Sequence, residues 1–233
     1  MDAKQILVTG ASGFIGRQVC PFLTERGFRV RNFEGRVEDL SAVRAAVRGV
    51  DSIVHLAAYS DDGDFVSQLI GPNAIGVYHM FEAARIEGVR RVVLASSTQA
   101  FEGLCTRGGI RVEERCPTNH YGLLKLWAED AGEMYSRLYG LSVIAARLGW
   151  VVRGETELER MRALPLGTRF FLGINDVKEF FLRCLLAPND LRFAVVYAVS
   201  KQSGSEVFDM EPARRILGFE VKDELPGGLT SCR

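Results

Sequence analysis

The stretch Ile6-Leu-Val-Thr-Gly10-Ala-Ser-Gly13-Phe-Ile-Gly16 decides the fold, because it reads as a strand, a glycine turn and the start of a helix. Gly10 permits the tight turn, Gly13 lets backbone N–H groups approach a pyrophosphate, and Gly16 lets the helix pack closely against the strand. The amino end of the helix then favours the phosphate charge. The sequence therefore predicts a dinucleotide-binding turn formed by Gly10, Ser12, Gly13, Phe14, Ile15 and Gly16.

A carboxylate follows the second predicted strand. The segment 27–34 reads as a helix stop and then a strand that ends on Glu34, about twenty residues beyond the glycines. A carboxylate there can accept hydrogen bonds from both ribose hydroxyls and repels a 2′-phosphate, so NAD is favoured over NADP. Two alternatives stay open: Glu34 is a solvated loop residue, or the nearby Arg31 and Arg36 accept the phosphate of NADP.

Strand-like and helix-like runs alternate through the rest of the chain. This pattern predicts an α/β fold, a doubly wound Rossmann-type parallel sheet with helices on both faces, in a single domain over 1–233. Right-handed crossovers bring the carboxyl ends of the strands to one edge. The further strand-like runs are 52–56, 91–95, 142–147 and 193–199, and the helix-like runs are 41–49, 73–87, 118–139 and 176–187.

Composition is that of an ordinary globular chain, with 233 residues, 47% hydrophobic residues and a formal net charge of zero. Its dispersed basic residues predict neither a nucleic-acid partner nor an anionic membrane partner. No apolar run reaches the ~18 residues of a membrane span, and the first strand begins by Gln5, so no targeting segment is expected and the cytoplasm is the default location. Five cysteines without a Cys-x-x-Cys pair predict reduced thiols and no metal site.

The segment Tyr121-Gly-Leu-Leu-Lys125 places a phenol and an ammonium one helical turn apart. An ammonium against a tyrosine favours the phenolate, so a group with a reference pKa near ~10 becomes a base nearer neutral pH. This pair is a candidate for proton transfer. The alternative is that Tyr121 packs through its ring while Lys125 is solvated.

These motifs together resemble the extended short-chain dehydrogenase/reductase family, the NAD-dependent epimerase/dehydratase group, from residue 4 to about residue 222. The match rests on the glycine turn and on His55-Leu-Ala-Ala58, Asn73-Ala-Ile-Gly76, Val92-Val-Leu-Ala-Ser-Ser97 and Tyr121-Gly-Leu-Leu-Lys125. The resemblance implies an NAD-dependent dehydrogenase or reductase. It also implies a homodimer formed through the helices at 73–87 and 118–139.

The resemblance assigns roles that the residue chemistry permits. Tyr121 exchanges a proton with the substrate, while Lys125 lowers the pKa of the tyrosine and holds the nicotinamide ribose. Ser97, or with less support Ser96 or Thr98, hydrogen-bonds the reacting oxygen.

Further cofactor contacts are implied on the same basis. Asp39 resembles the family position that touches adenine, although it could equally cap the helix that begins near Ser41. The other implied contacts are Leu40, Leu56, Ala57, Ala58, Asn73, Ala95, Ser96, Tyr121 and Lys125.

Departures from the family pattern narrow the expected function. Four residues separate Glu34 from Asp39, where the family inserts a helix and a third strand, so the edge of the sheet after the second strand is expected to be shortened. Thr98 and Gln99 stand where 4,6-dehydratases carry an acid pair, which argues against dehydration. About 85 residues follow Arg147, so only a small carboxyl-terminal substrate region is predicted, at 149–175 and 200–225.

The proportions are most similar to those of uronate dehydrogenases, which oxidise a hexuronic acid at C1 with NAD. A carboxylate substrate needs a guanidinium or an equivalent cluster of donors. Arg169 is the candidate for that contact, with Ser97, Thr98 and Gln99 beside the sugar ring, although Arg169 also reads as a surface salt-bridge residue. The small-molecule substrate is thus a small sugar, polyol or uronic acid. Two alternatives remain: an epimerase or biosynthetic reductase that uses the same residues, and a non-catalytic dinucleotide sensor.

Overall fold

A parallel sheet forms the centre of the molecule. The computed structural model describes residues 4–104, 108–164, 166–201 and 207–226. Within these ranges six strands pair in parallel in the order β2-β1-β3-β4-β5-β6. The strands are β1 (Gln5–Thr9), β2 (Arg29–Asn32), β3 (Ser52–His55), β4 (Arg91–Ser97), β5 (Ser142–Leu148) and β6 (Phe193–Ala198).

Helices cover both faces of the sheet, which confirms the predicted α/β doubly wound class. They are α1 (Phe14–Glu25), α2 (Leu40–Val47), α3 (Gly76–Ile86), α4 (His120–Tyr139), α5 (Glu155–Ala163), α6 (Ile174–Leu186) and α7 (Glu211–Leu217). Helices α1 and α6 pack together in one hydrophobic cluster, whereas α2, α3 and α4 contribute to a second cluster. Every residue of β3, β4 and β5 is buried, as expected for strands covered on both sides.

The sheet ends early on the side of β2, as the short spacing after Glu34 predicts. Strand β2 is the edge strand among the described residues, pairing with β1 alone. It stops at Asn32, so Glu34 lies two residues past its end in an exposed loop. Asp39 then caps α2 by accepting hydrogen bonds from the backbone N–H groups of Ser41 and Ala42, at 2.9 and 3.1 Å. This edge of the sheet is therefore bordered by a loop and a helix cap.

Two helical segments differ from the sequence-based predictions. The helix predicted over 73–87 is regular only in α3, from Gly76, and wide π-type turns at Phe65–Leu69 and Gly71–Ile75 precede α3. The segment 149–175, predicted as part of the substrate region with no helix assigned to it, contains α5 and a short 3₁₀ turn at Gly167–Phe170. The sequence signal for α5 was present: two glutamates in the first turn and two arginines in the last complement the helix dipole.

Within the described ranges, no helix combines the length and apolar character required to cross a bilayer. Cys20, Cys116 and Cys184 are free thiols. The remaining two cysteines, Cys105 and Cys232, lie outside the described residues.

Candidate active site

The carboxyl ends of the central strands meet at one edge of the sheet. Thr9 at the end of β1 pairs with His55 of β3, and Ser97 at the end of β4 pairs with Leu148 of β5. A cavity of about 1560 Å³ opens along this edge and reaches from the glycine turn to the segment that follows β5. In open parallel α/β sheets, ligands bind in this position, beyond the carboxyl ends of the strands.

The glycine turn is sterically closed to larger residues. Gly10 adopts φ +69°, and a Cβ there would lie 2.7 Å from the backbone nitrogen of Ala57. A Cβ on Gly16 would lie 2.5 Å from the carbonyl oxygen of Gly10 and 2.6 Å from Cα of Ala11. These contacts fix α1 against the turn, so that its amino end faces the cavity.

The amino end of α1 suits an anion. Its N-cap is Gly13, no described side chain caps the helix, and its first turn contains no acidic residue. Free backbone N–H groups and the positive end of the helix dipole favour a phosphate there. Together with the close-packed glycines, this geometry fits the pyrophosphate of a dinucleotide.

Three side chains predicted to act together converge at the end of β4. Tyr121 and Lys125 lie on α4, and their exposed fractions are 7% and 4%, while that of Ser97 is 8%. A side-chain hydrogen bond links Ser97 with the phenol of Tyr121. Lys125 donates from Nζ to the carbonyl oxygen of Ala95 at 2.8 Å, and Nζ lies 5.3 Å from the centroid of the Tyr121 ring. The predicted contact between the phenol and the ammonium is therefore present, with the ammonium over the face of the ring.

The direction of the tyrosine pKa differs from the sequence-based expectation. Burial raises the pKa of Tyr121 above its ordinary value, and the hydrogen bond from Ser97 offsets only part of that effect. Burial also lowers the pKa of Lys125 to about 8, against an opposing effect of Glu129. The spacing of the pair could not reveal this result, because desolvation depends on the surrounding fold.

The start of α4 orients the side chain of Gln99. Asn119 caps α4 by accepting from the backbone N–H of Gly122 at 2.7 Å, and its Nδ2 donates to Oε1 of Gln99 at 2.7 Å. The amide nitrogen of Gln99 is thereby oriented away from Asn119. Both side chains line the cavity, so Asn119 is a site residue that sequence reasoning missed.

His55 is buried beneath the site in a neutral form. Its Nδ1 lies 2.8 Å from Oγ1 of Thr9, and no described group pairs with its Nε2. Burial, assisted by the charge of Lys125, lowers the pKa of His55 to about 3. Between about pH 6.5 and pH 3 the unfolded chain therefore binds a proton at this histidine that the folded chain does not.

We predict that His55 contributes to acid sensitivity. As the pH falls from about 6.5, the free energy of unfolding should decrease by up to about 1.4 kcal/mol per pH unit because of this group. In His55→Gln that part of the decrease should be absent, whereas the exposed histidine variant His120→Gln should follow the wild type. Urea unfolding at pH 7 and pH 4 measures the difference, and parallel losses in all three proteins would contradict the prediction.

Most residues predicted to contact the cofactor or substrate line the cavity. They are Gly10, Ser12, Gly13, Phe14, Ile15, Gly16, Glu34, Leu56, Ala57, Ala58, Ala95, Ser96, Ser97, Thr98, Gln99, Tyr121 and Lys125. Asp39, Leu40, Asn73 and Arg169 are not among the lining residues. The carboxylate of Asp39 serves as the helix cap described above, and Glu38 lies in the wall instead. Asn73 is buried, with its Nδ2 donating to the carbonyl oxygen of Tyr59 at 3.1 Å.

The segment after β5 forms one wall of the cavity, and the arginines in this wall differ from the one predicted from sequence. Trp150 lies two residues beyond Leu148, the partner of Ser97, and its backbone bonds to Phe170 and Leu172 hold it in place. Arg160 on α5 has its guanidinium carbon 5.9 Å from the Trp150 ring centroid. Arg153 lines the same cavity. The guanidinium groups of this wall are thus those of Arg153 and Arg160, not that of the predicted Arg169.

Glu157 fixes this wall. Its Oε1 accepts from the indole Nε1 of Trp150 at 3.0 Å, and its Oε2 accepts from the backbone N–H of Arg153 at 2.6 Å. The carboxylate therefore orients both the aromatic ring and the loop that carries Arg153. Its position, with those of Trp150 and Arg160, depends on α5, which the sequence analysis did not predict.

Comparisons with known proteins agree with this geometry. The sequence profile of the NAD dependent epimerase/dehydratase family matches residues 6–166. A uronate dehydrogenase of Pseudomonas putida is 31% identical over 220 residues, covering 84% of this chain and 76% of its own. The crystal structure of uronate dehydrogenase from Agrobacterium tumefaciens superposes with a TM-score of 0.79 at 26% identity, covering 96% of this chain and 86% of its own. A mutant of that enzyme complexed with NAD has a TM-score of 0.78 at 25% identity, with coverage of 95% and 85%.

Proposed function

The chain belongs to the NAD dependent epimerase/dehydratase family, and from this premise we propose that it is an NAD-dependent oxidoreductase of small sugars, with a hexuronic acid as substrate. The observation that carries the proposal is the convergence of Ser97, Tyr121 and Lys125 in a cavity continuous with the glycine turn. The 31% identity to a uronate dehydrogenase supports the substrate class.

The cofactor site fits NAD. The amino end of α1 would hold the pyrophosphate, and the carboxylates of Glu34 and Glu38 lie in the wall beyond β2, where they favour ribose hydroxyls over a 2′-phosphate. Arg36 lines the same wall, but its guanidinium pairs with Glu38 at 3.0 Å. When bound, NAD supplies the hydride acceptor for the oxidation.

Residues at the end of β4 and on α4 carry out the proton transfer. Tyr121 Oη removes the proton from the hydroxyl group of the substrate, and the Ser97 hydroxyl donates to the same oxygen as it becomes a carbonyl. Lys125 stabilises the phenolate through its ammonium charge and is anchored by Ala95. Because the phenol is buried, it needs this positive charge to act as a base near neutral pH.

The wall after β5 recognises the substrate. An arginine binds a carboxylate through paired N–H groups, and the face of an aromatic ring can pack against the C–H face of a sugar. Arg160 and Trp150 are adjacent in the cavity and provide both functions. The segments 149–175 and 200–225, as far as they are described, would then form the substrate region of a single Rossmann-type domain.

We predict that Arg160→Met raises KM for glucuronate by roughly 30-fold, the effect of losing charge-assisted hydrogen bonds worth about 2 kcal/mol. The KM for a neutral aldose should change little. The matched variant Arg169→Met tests the sequence-based alternative, because Arg169 is not among the residues that line the cavity. Initial rates of NAD reduction with both substrates measure the four values. A selective loss in Arg169→Met instead would assign the carboxylate contact to Arg169.

The chain is also proposed to form a homodimer through α3 and α4. Apolar side chains on α4 at Leu123, Trp127, Met134 and Leu138 are 39–59% exposed, with the four- and seven-residue spacing of one helix face. Helix α3 packs beside α4 and adds Tyr78 and Ile86 to this surface. Exposed apolar side chains on one helix face and its neighbour favour self-association across a twofold axis.

We predict that the double variant Trp127→Glu/Leu138→Glu sediments as a single chain, because two carboxylates per copy would face each other in the contact. The wild type should sediment with twice that mass. Leu186→Glu, which changes an equally exposed leucine on α6, is the matched control and should leave the dimer intact. A wild type that sediments as a single chain at micromolar concentration would contradict the homodimer.

A further inference from the structure

One face of α4 contacts three consecutive residues at the end of β4. The residues on α4 are spaced by four, so they lie on one face of the helix. Tyr121 is hydrogen-bonded with Ser97, and Lys125 donates to the carbonyl oxygen of Ala95. Glu129, one turn beyond Lys125, accepts a hydrogen bond from Oγ of Ser96 at 2.5 Å. The proposed catalytic pair is thus continued by a third contact that the proposed chemistry does not use.

Glu129 is buried in an ion pair. Its two carboxylate oxygens accept from Nε and Nη2 of Arg147 at 2.9 and 2.8 Å, and both side chains are 1% exposed. Arg147 lies on β5 opposite Ser96 in the sheet register. The remaining Nη1 of Arg147 donates to Oη of Tyr197 and the carbonyl oxygen of Glu114, at 3.2 and 3.3 Å. The carboxylate is therefore held between the helix and two adjacent strands.

A buried ion pair adds little to stability by itself. The cost of removing two charges from water is comparable to their attraction, and well-packed apolar replacements are often as stable. The pair gives geometric specificity, however, since a bidentate guanidinium allows one orientation of the carboxylate. A role in placing α4 relative to β4 and β5 accounts for its position.

We propose that Glu129 is a positioning residue, which holds α4 in register with the end of β4 and maintains the ammonium form of Lys125. It does not line the cavity, so it acts on the reaction through its neighbours Lys125 and Ser96. The kinetic consequence of this inference rests on the proposed dehydrogenase function, whereas the charge state of Lys125 can be measured without any turnover.

The groups that face Lys125 support the assignment. Neutral His55 faces it from β3, the phenol of Tyr121 from α4, and the carbonyl oxygen of Ala95 from β4. Those three groups carry no negative charge, whereas the carboxylate of Glu129 does. Its effect opposes the burial that lowers the pKa of Lys125 to about 8. Since Lys125 loses its charge as the pH rises through that value, removing the carboxylate should move the loss to lower pH.

The test compares Glu129→Gln with wild type by competitive acetylation. Acetic anhydride modifies only the neutral amine, so the pH at which Lys125 becomes reactive, read by mass spectrometry, reports its charge state. In Glu129→Gln this midpoint should fall by about one pH unit. The alkaline limb of kcat/KM should move in the same direction. Asp130→Asn, at the next position on α4 but exposed and paired with Arg115, should change neither value.

A second variant covers the case in which Glu129→Gln unfolds because it leaves the charge of Arg147 unpaired. Glu129→Leu/Arg147→Met removes both charges and replaces them with apolar groups. Its acetylation midpoint should fall in the same direction, by less, because a positive charge is removed as well. An unchanged midpoint in a folded variant would overturn the proposal, as would loss of the folded state in both variants, since Glu129 would then serve only the fold. If wild type reduces no NAD, the proposed function fails while the acetylation result still decides this inference.

Discussion

Tyr121→Phe is expected to lower kcat for oxidation of a hexuronic acid by about 1,000-fold, the range in which a positioned general base contributes. In the proposed mechanism the phenol removes the substrate proton, and phenylalanine retains the ring packing beside Lys125 while deleting the oxygen. NAD affinity should stay within a few-fold of wild type. Stopped-flow or steady-state NAD reduction gives kcat, and titration calorimetry gives the NAD affinity.

The control for this variant is Tyr139→Phe, which deletes a phenol from an exposed tyrosine at the end of the same helix. It should leave kcat unchanged. If Tyr121→Phe retained kcat within threefold, the phenol would not be the base. A protein that binds NAD but is indifferent to the change in every assay would instead fit a dinucleotide sensor.

The second large effect is expected at the glycine turn. Gly16→Ala should weaken NAD binding by about 100-fold, because its methyl group would lie 2.5–2.6 Å from backbone atoms of Gly10 and Ala11. The clash must push α1 away from the turn, and the backbone N–H groups at its start would no longer point at the pyrophosphate.

Gly154→Ala is the matched control for Gly16→Ala. It introduces the same methyl group at an extended residue, with no atom within 4 Å of the new Cβ. NAD affinity of this control should match wild type, as measured by calorimetry on the folded proteins. Equal NAD affinity in Gly16→Ala and wild type would show that the close packing of α1 is not required for binding.

The parts of the fold that were predictable from sequence are those in which the backbone itself sets the requirement. Position 10 requires a positive φ and position 16 has no room for a Cβ, so the spacing of Gly10 and Gly16 directly predicts the turn. The four-residue spacing of Tyr121 and Lys125 likewise predicts that both lie on one face of a helix. The short interval between Glu34 and Asp39 correctly indicated that β2 is the edge strand among the residues that the structure describes.

The parts that were not predictable depend on contacts between distant segments. Arg160 lines the cavity on α5, which Glu157 ties to the indole of Trp150, and the backbone of Trp150 bonds in turn to Phe170 and Leu172. No local pattern distinguishes it from Arg169. The raised pKa of Tyr121 is likewise a consequence of burial by the whole fold. Spacing was enough to propose the reacting groups, whereas their burial and its effect on the pKa values depend on the folded structure.

The central claim is that this cavity transfers a hydride from a small sugar acid to NAD. The most direct measurement uses glucuronic acid deuterated at C1 with purified protein and NAD, followed by mass spectrometry of the reduced nicotinamide. We expect the deuterium to appear in the reduced cofactor, and no reduced cofactor to form with Tyr121→Phe beyond a trace. Absence of NAD reduction with glucuronic acid and with a panel of other hexuronic acids, aldoses and polyols would contradict the account.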